Sequence, residues 1–409
     1  MIEKQLFEIA LEIEDPVFIS KVAFSADEGE LHIHMDFQRG GRFPCAECST
    51  ANLPVHDTQE KTWRHLNFWQ YKTYIHMRTP RVKCKCGVRL WTPPWTRPQS
   101  GFTLLFEAFV MTLAQEMPIV RIASLVDEYD TRIWRIFTHY VTVARAKESF
   151  ADLKRVGIDE TSARRGHNYI SVFTDMDKAK VVFATPGKDA DTVRLFAEML
   201  PSHGGHAENI TEVVADMSPA FTSGTKNYLS NATLTYSRFH IMMGMNKAVD
   251  EVRRAEQPNI PELKSSRYVW LKNRGNLTAN QTKQLDMLMS KKNLKTARAY
   301  RMKLAFQDIY REATNSDTAA VLFKKWLGWA ARSRLEPMKK FAETIKNHWN
   351  GILRYFETRL TTGMVEGINS RIQEIKRRAR GFRNINNFIN MTYLEAGKLD
   401  LNITLTHSK

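Results

Sequence analysis

The sequence predicts a multidomain α+β chain, and three observations carry that prediction. All four cysteines, Cys45, Cys48, Cys84 and Cys86, fall in the first quarter among strand-like segments. Strand and helix patterns alternate from residue 154 to 248. Residues 258–358 hold no convincing strand. The architecture expected is an N-terminal zinc-binding β-rich module, a helix-turn-helix, and an α/β core interrupted by an all-α insertion. With 409 residues, 43% of them hydrophobic, the chain can bury several cores. Its 25% charged residues and modest Pro and Gly content exclude a disordered class. Lys and Arg number 60 against 44 Asp and Glu, a net charge of +16, which points to a polyanion partner. No apolar run approaches membrane-spanning length and the first residues lack an apolar signal core, so nucleic acid is favoured over membrane and a cytoplasmic, nucleoid-associated location is expected.

Residues 1–98 form the expected N-terminal module. Leu31 to Phe37 alternates as a strand does, Trp69 to Arg81 is a second extended candidate, and Thr92 to Pro98 reads as a Pro-rich linker. Cys45-Ala46-Glu47-Cys48 has zinc-knuckle spacing, and Cys84-Lys85-Cys86-Gly87 is a tighter pair. Two thiolate pairs can close a tetrahedral Zn²⁺ shell with no open position, a structural role. One of His56, His65 or His76 could replace a thiolate.

Residues 99–150 read as helices. Phe102, Leu105, Phe106, Phe109, Val110 and Leu113 make one stripe. After Pro118, Ile119 to Val126 is a short helix, Glu128 to Asp130 a turn, and Thr131 to Val143 a second helix, the outline of a helix-turn-helix. Arg132, Arg135 and Arg145 are the DNA-contact candidates there.

Residues 151–257 read as the first part of an α/β domain with a mixed sheet. Strands are expected at Arg155–Asp159, Tyr169–Thr174, Lys180–Ala184, Ile210–Ala215 and Thr233–Ser237, with helices at Thr192–Leu200, from Pro219, and at Ile241–Glu256. Asp175 and Asp177 fit a hairpin turn better than a ligand set. Residues 258–358 form the helical insertion, with Trp270, Phe306, Phe323, Trp326, Trp329, Phe341 and Trp349 among its apolar positions. Residues 359–409 return to the core with a helix carrying Glu366.

Asp159 and Asp216 each close a strand-like segment, and Glu366 opens a basic amphipathic helix. Three acids on separate elements of a basic chain suit a two-metal site acting on a phosphate backbone. Mg²⁺ or Mn²⁺ would take hard carboxylate oxygens plus water and phosphate. Beyond Glu366, the residues Arg371, Lys376, Arg377, Arg378, Arg380 and Arg383 face one acid, Glu374, and make a plausible phosphate track.

Val156-Gly157-Ile158-Asp159-Glu160, Val214-Ala215-Asp216-Met217-Ser218, Arg238-Phe239-His240, Glu366-Gly367-Ile368-Asn369 and Arg380-Gly381-Phe382-Arg383-Asn384 together resemble the ISL3 family of bacterial insertion-sequence transposases, whose core is RNase H-like and of the DDE type. The resemblance spans nearly the whole chain, and the Glu366 phrase is its most specific part. Thr362-Gly363 stands where Asn-Gly is common, and Ser237 where an acid is frequent. The resemblance implies that Asp159, Asp216 and Glu366 bind two Mg²⁺ ions. The gap from Asp216 to Glu366, 150 residues, matches a helical insertion before the glutamate. His240 either steers a phosphate or water at the metals or is structural. The implied activity is cleavage at terminal inverted repeats followed by strand transfer into target double-stranded DNA, in a homodimer or larger assembly. The rival expectations are an RNase H-like nuclease that makes no joined product, and an inactive DNA-binding relative.

Overall fold

The computed structural model describes residues 2–164, 166, 168–291, 293–360 and 363–403, with side chains from Lys4 onward. Two compact units divide the chain, one holding the segment up to Thr142 and the other Val143–Asp400.

The first unit begins with α1 (Ile2–Ala10), which the sequence reading did not anticipate. A six-stranded sheet follows: β1 (Val17–Ser25), β2 (Glu30–Phe37), β3 (Arg42–Phe43), β4 (Leu53–Phe68), β5 (Tyr71–Cys84) and β6 (Gly87–Leu90). Its spatial order is β1-β2-β5-β4-β3, with β6 on β5. One face buries Leu31, Ile33, Met35, Ile75 and Met77, the alternate residues of β2 and β5. Three helices complete the unit: α2 (Leu104–Glu116), α3 (Ile119–Val126) and α4 (Asp130–Ala146), the last running past Thr142 into the second unit. Thr103 caps α2 by accepting from the Phe106 amide. Asp127, at φ 52°, ends α3 in the left-handed region and so makes the tight turn into α4.

The segment Thr92 to Pro98, expected as a linker, is packed instead. Thr96 is buried and donates to the Phe102 carbonyl at 2.9 Å, and Trp95 meets the rings of Trp63 and Trp91 edge-on. Fully buried Glu107 accepts from Arg97 Nε at 2.9 Å, Ser100 Oγ at 2.6 Å and Tyr140 OH at 3.2 Å. A buried carboxylate needs such donors, and here they tie this segment to α2 and α4.

The second unit is built on a five-stranded mixed sheet of β7 (Arg155–Arg164), β8 (Asn168–Asp175), β9 (Lys180–Pro186), β10 (Glu212–Ala215) and β11 (Thr233–Tyr236). The order is β11-β10-β7-β8-β9; β7, β10 and β11 are parallel, and β8 pairs antiparallel with both β7 and β9. The β8–β9 hairpin turns as expected, Asp175 Oδ1 accepting from the amides of Asp177 and Lys178. Helices α5 (Asp191–Met199) and α6 (Pro219–Tyr228) bury Phe196 and Phe221 against Phe173 and Val213 of the sheet. Strand β11 leads through Ser237, which caps the next helix, into α7 (Arg238–Glu256).

The insertion contains α8 (Arg267–Leu271), α9 (Ala279–Ser290), α10 (Lys295–Glu312), α11 (Ser316–Arg332), α12 (Glu336–Asn347) and α13 (Trp349–Thr358). Phe306, Phe323, Trp326 and Phe341 form one aromatic core that extends onto α7. Trp270 is fully buried and donates its indole N–H to Ser266. Trp329, grouped with these on the sequence, is 41% exposed. Two last helices return to the sheet, α14 (Gly363–Arg378) and α15 (Ile385–Ala396), where the Ala184 amide of β9 donates to Tyr393 OH at 2.8 Å.

Candidate functional site

The acids come together through strand register. In the parallel pair of β7 and β10, Val156 lies beside Val213 and Gly157 beside Val214. Two residues further along each chain stand Asp159 and Asp216. The expected strand end at Asp159 is corrected by the structure: β7 runs on to Arg164, because its polar second half pairs with β8 as far as Asn168. Asp159 therefore sits mid-strand on a fixed backbone. Asp216 lies one residue past β10 and is held by an Asx turn, its Oδ1 accepting from the Ser218 amide at 3.0 Å.

Asp159 is strongly perturbed. Burial pushes its carboxyl up to about 6, while His240 and the Glu160 amide favour the charged form and Asp216 and Glu160 oppose it. Glu160, also raised by burial, feels Asp216, His240 and Lys188. So Glu160 is a further carboxylate beside the pair, and the charge of His240 is felt by both Asp159 and Glu160. His240 Nδ1 is buried with no hydrogen-bond partner among the described residues.

Helix α14 lies along β7. Asn369 Nδ2 donates to Asp159 Oδ2, Gln373 to Thr161, and Lys376 Nζ to the Ser162 carbonyl at 2.6 Å. Glu366 precedes Asn369 by one helical turn, so it shares that face. Gly157 permits the approach: a Cβ there would lie 2.6 Å from Val365 Cγ2. The three-residue spacing of Asn369 from Glu366 puts it on the same helix face, but its bond to Asp159 spans 210 positions and has no local signal. Among the described residues, the groups whose ligand atoms all lie within 4.8 Å of one another are the four cysteines and the set Glu28, Glu30 and His32; the three acids are not such a group. The donor set around Asp159 and Asp216 nonetheless fits a hard cation. Two like charges share a buried place, and the Asn369 Oδ1 acceptor is buried without a partner.

An open pocket of about 490 Å³ adjoins these residues, with Glu366 on its wall and Arg238, Phe239 and Asn246 along its floor on α7.

The basic residues divide. Arg135, Arg371, Arg377, Arg378, Arg380 and Arg383 are exposed. Arg378 pairs with Glu395, whose carbonyl also accepts from Arg371. Arg132 pairs with buried Glu128 and lies over the Phe102 ring at 4.4 Å. Arg145, expected as a DNA contact, is engaged within its own unit. It is 13% exposed, bonds Glu148 and the Val182 carbonyl, and covers the Tyr393 ring at 4.0 Å. Position 145 falls on the inward side of α4, a facing that a list of arginines does not reveal.

The four cysteines converge. Cys45 and Cys48 flank a turn in which the Cys45 amide donates to the Thr50 carbonyl at 3.0 Å; Cys84 ends β5 and Cys86 sits in the turn to β6. That turn explains the short Cys-x-Cys spacing. Cys48 Sγ is 3.8 Å from Cys84 Sγ and Cys84 Sγ 3.2 Å from Cys45 Sγ. Tetrahedral Zn–S bonds of about 2.3 Å give sulfur separations of about 3.8 Å, so the set fits zinc. Thr50 holds the Cys48 thiol down to about 6, and sharing with Cys48 pushes Cys86 up to about 12. The alternative histidine ligands are elsewhere: His65 Nδ1 is 2.9 Å from Thr103 Oγ1, and His76 Nε2 is 2.9 Å from His32 Nδ1.

Three family models match successive parts of the chain. The zinc-finger of transposase IS204/IS1001/IS1096/IS1165 covers residues 41–86, the helix-turn-helix domain of transposase family ISL3 covers 92–141, and the ISL3 transposase model covers 156–392. The transposase for insertion sequence element IS1001 of Bordetella parapertussis is 27% identical over 350 residues, 83% of this chain and 85% of that protein. The transposase for insertion sequence element IS1557 of Mycobacterium tuberculosis is 26% identical over 359 residues, 79% of this chain and 78% of that protein. The catalytic core domain of BIV integrase aligns with 48% of this chain and 99% of its own at 15% identity, with a TM-score of 0.17. No described helix is long and apolar enough to cross a membrane.

Proposed function

Because the chain belongs to the ISL3 family of transposases, we propose that it cuts DNA at terminal inverted repeats and joins the freed ends to target DNA, with Asp159, Asp216 and Glu366 as the ligands of two Mg²⁺ ions. The observation that carries this reading is the β7–β10 register, which sets two aspartates side by side under a helix bearing the third acid. When bound, such ions polarise the phosphate, lower the pKa of the attacking water or hydroxyl, and stabilise the leaving oxygen.

The protein residues position the reaction. Asn369 holds the Asp159 carboxylate from the Glu366 helix, so the acids on sheet and helix keep a fixed separation. Water attacks the phosphodiester at the element end, one P–O bond forms as another breaks, and a 3′-hydroxyl leaves. That hydroxyl then attacks a target phosphodiester in the same way, releasing a target 3′-hydroxyl. No net bond energy is required and no protein nucleophile is involved. Arg377, Arg380 and Arg383 are assigned to the DNA backbone, Arg135 to the helix-turn-helix contact, and the cysteines to one structural Zn²⁺. Two ends must be held together, so the active form contains at least two chains.

The test is incorporation of labelled terminal-repeat DNA into a plasmid with Mg²⁺. Joined product from the wild type, lost in Asp159→Ala, Asp216→Ala and Glu366→Ala while duplex binding persists, is expected. Cleavage without joining would leave a nuclease, and joining that survives one substitution would remove that residue from the ligand set.

A further inference from the structure

The pocket beside Glu366 has a chemistry of its own, which the carboxylates do not explain. Its floor is one face of α7, where Arg238, Phe239, Met242 and Asn246 recur at helical spacing. Its far wall comes from the stretch after α8, with Lys272, Asn273 and Asn276, and from Gln307 of α10. Four side-chain amides therefore surround one space. Each amide carries a donor and an acceptor, the pairing that base edges present. Gln307 Nε2 donates to Asn273 Oδ1 at 3.1 Å, which leaves the other half of each amide outside that bond.

Two further observations point to a ligand. Asn246 Oδ1 is buried and has no hydrogen-bond partner among the described residues, a cost that a bound donor would remove. Phe239 is 48% exposed, although it sits in the first turn of a capped helix and meets the His240 ring edge-on at 5.3 Å. An exposed phenyl face beside amides is a stacking platform for any base. The volume, about 490 Å³, is in the range of small-ligand sites. The buried Trp270 cannot serve this purpose, since its ring is enclosed and its N–H is engaged with Ser266.

We propose that this pocket receives one unstacked nucleotide of the DNA strand, beside the three-carboxylate site, with its base on Phe239 and its edge read by Asn246 and the Asn273–Gln307 pair. Arg238 and Lys272 supply cations for the flanking phosphates. The inference rests on the proposed strand-transfer reading, because Glu366 forms both the pocket wall and part of that site. Extruding a base costs least at a frayed or nicked position, so the pocket favours the nucleotide at the cut end.

The experiment places 2-aminopurine at each position within three nucleotides of the cleavage site in a terminal-repeat duplex. Binding is measured in the Asp159→Ala background with the duplex already nicked at the cleavage site, so the DNA does not change during the measurement. One position should brighten on binding. Adding Phe239→Ala should abolish that signal, and Phe239→Ala in the otherwise native chain should slow cleavage about 10-fold or more with duplex affinity unchanged. Phe239→Tyr should restore both. Asn246→Leu should retain the brightening but flatten the dependence of cleavage on the base at that position. If the native chain joins DNA while no position brightens, or brightening is equal in Phe239→Ala, the pocket assignment is overturned and the strand-transfer reading stands. If the native chain neither cuts nor joins, that reading fails and the pocket assignment falls with it.

Discussion

Gly157→Ala is expected to disable the catalytic geometry through one methyl group. Gly157 does not occupy the left-handed backbone region, so alanine meets no conformational penalty there and the effect is steric alone. An alanine Cβ would lie 2.6 Å from Val365 Cγ2, whereas carbon atoms rest at about 3.5–4.0 Å. Helix α14 must therefore recede from β7 by about 1 Å. Overpacking of this kind costs about 1–3 kcal/mol of stability. The larger consequence is positional, because the bonds from Asn369 to Asp159, Gln373 to Thr161 and Lys376 to the Ser162 carbonyl span that interface. A displacement of about 1 Å at a reacting centre costs about 100-fold in rate. The assay is joining of labelled terminal-repeat DNA, with circular dichroism to show that the chain remains folded and a gel shift to show that it binds. Val365→Ala removes the clashing methyls, so Gly157→Ala/Val365→Ala should recover most of the lost rate. Native joining by Gly157→Ala, or a double variant no better than the single one, would refute the argument that this contact sets the distance between helix and sheet.

Two other expectations concern the first unit. Purified chain should carry one zinc, and Cys84→Ser should release it and lower the unfolding midpoint of that unit; undiminished zinc by atomic absorption would exclude Cys84 as a ligand. His76 is depressed to about 4 by burial and by His34 and His32. Its unfolded form takes a proton near 6.5 and its folded form only near 4, so the unfolded state binds more protons in between. Stability from this group is intact above about pH 6.5 and declines as pH falls toward 4, by at most about 3 kcal/mol. His34 is lowered in the same direction, chiefly by burial and by Lys21. Urea unfolding at pH 7.5 and 5 should show the loss, and His76→Gln should flatten it; an unchanged slope would assign the effect to other groups.

Much of the second unit was legible in the sequence because its signals are local. The β8–β9 hairpin announces itself by Asp175-Met176-Asp177-Lys178, and α6 by Pro219. The missed parts are those whose cause is tertiary. The second half of β7, Glu160 to Arg164, is polar and reads as a loop, but it is a strand because β8 pairs with Glu160, Thr161, Ser162 and, past an irregularity, Arg164. Helix α7 starts at Arg238 rather than Ile241, since Ser237 accepts from the His240 amide and brings Arg238, Phe239 and His240 into its first turn. The conversion of Thr92 to Pro98 from linker to packed segment depends on Glu107, an acid whose burial no local pattern discloses. For the candidate site, the separate acids could be read from the sequence, but the Asn369 bridge and the pocket on α7 could not, because they join residues more than 100 positions apart.

The long excursion between Asp216 and Glu366 has a consequence for the order of events during protein synthesis. At about 5–20 residues per second, a ribosome needs about 7–30 s to travel from one acid to the other. Throughout that time the zinc-ribbon and helix-turn-helix segments are already outside and able to fold on DNA, while the helix that brings the third acid does not yet exist. On the proposed reading, a nascent chain would thus meet DNA before its three acids are complete. On the proposed reading, a chain truncated within the insertion would keep the zinc-ribbon and helix-turn-helix segments and lack Glu366, and so would compete with the full-length chain for DNA without cutting it.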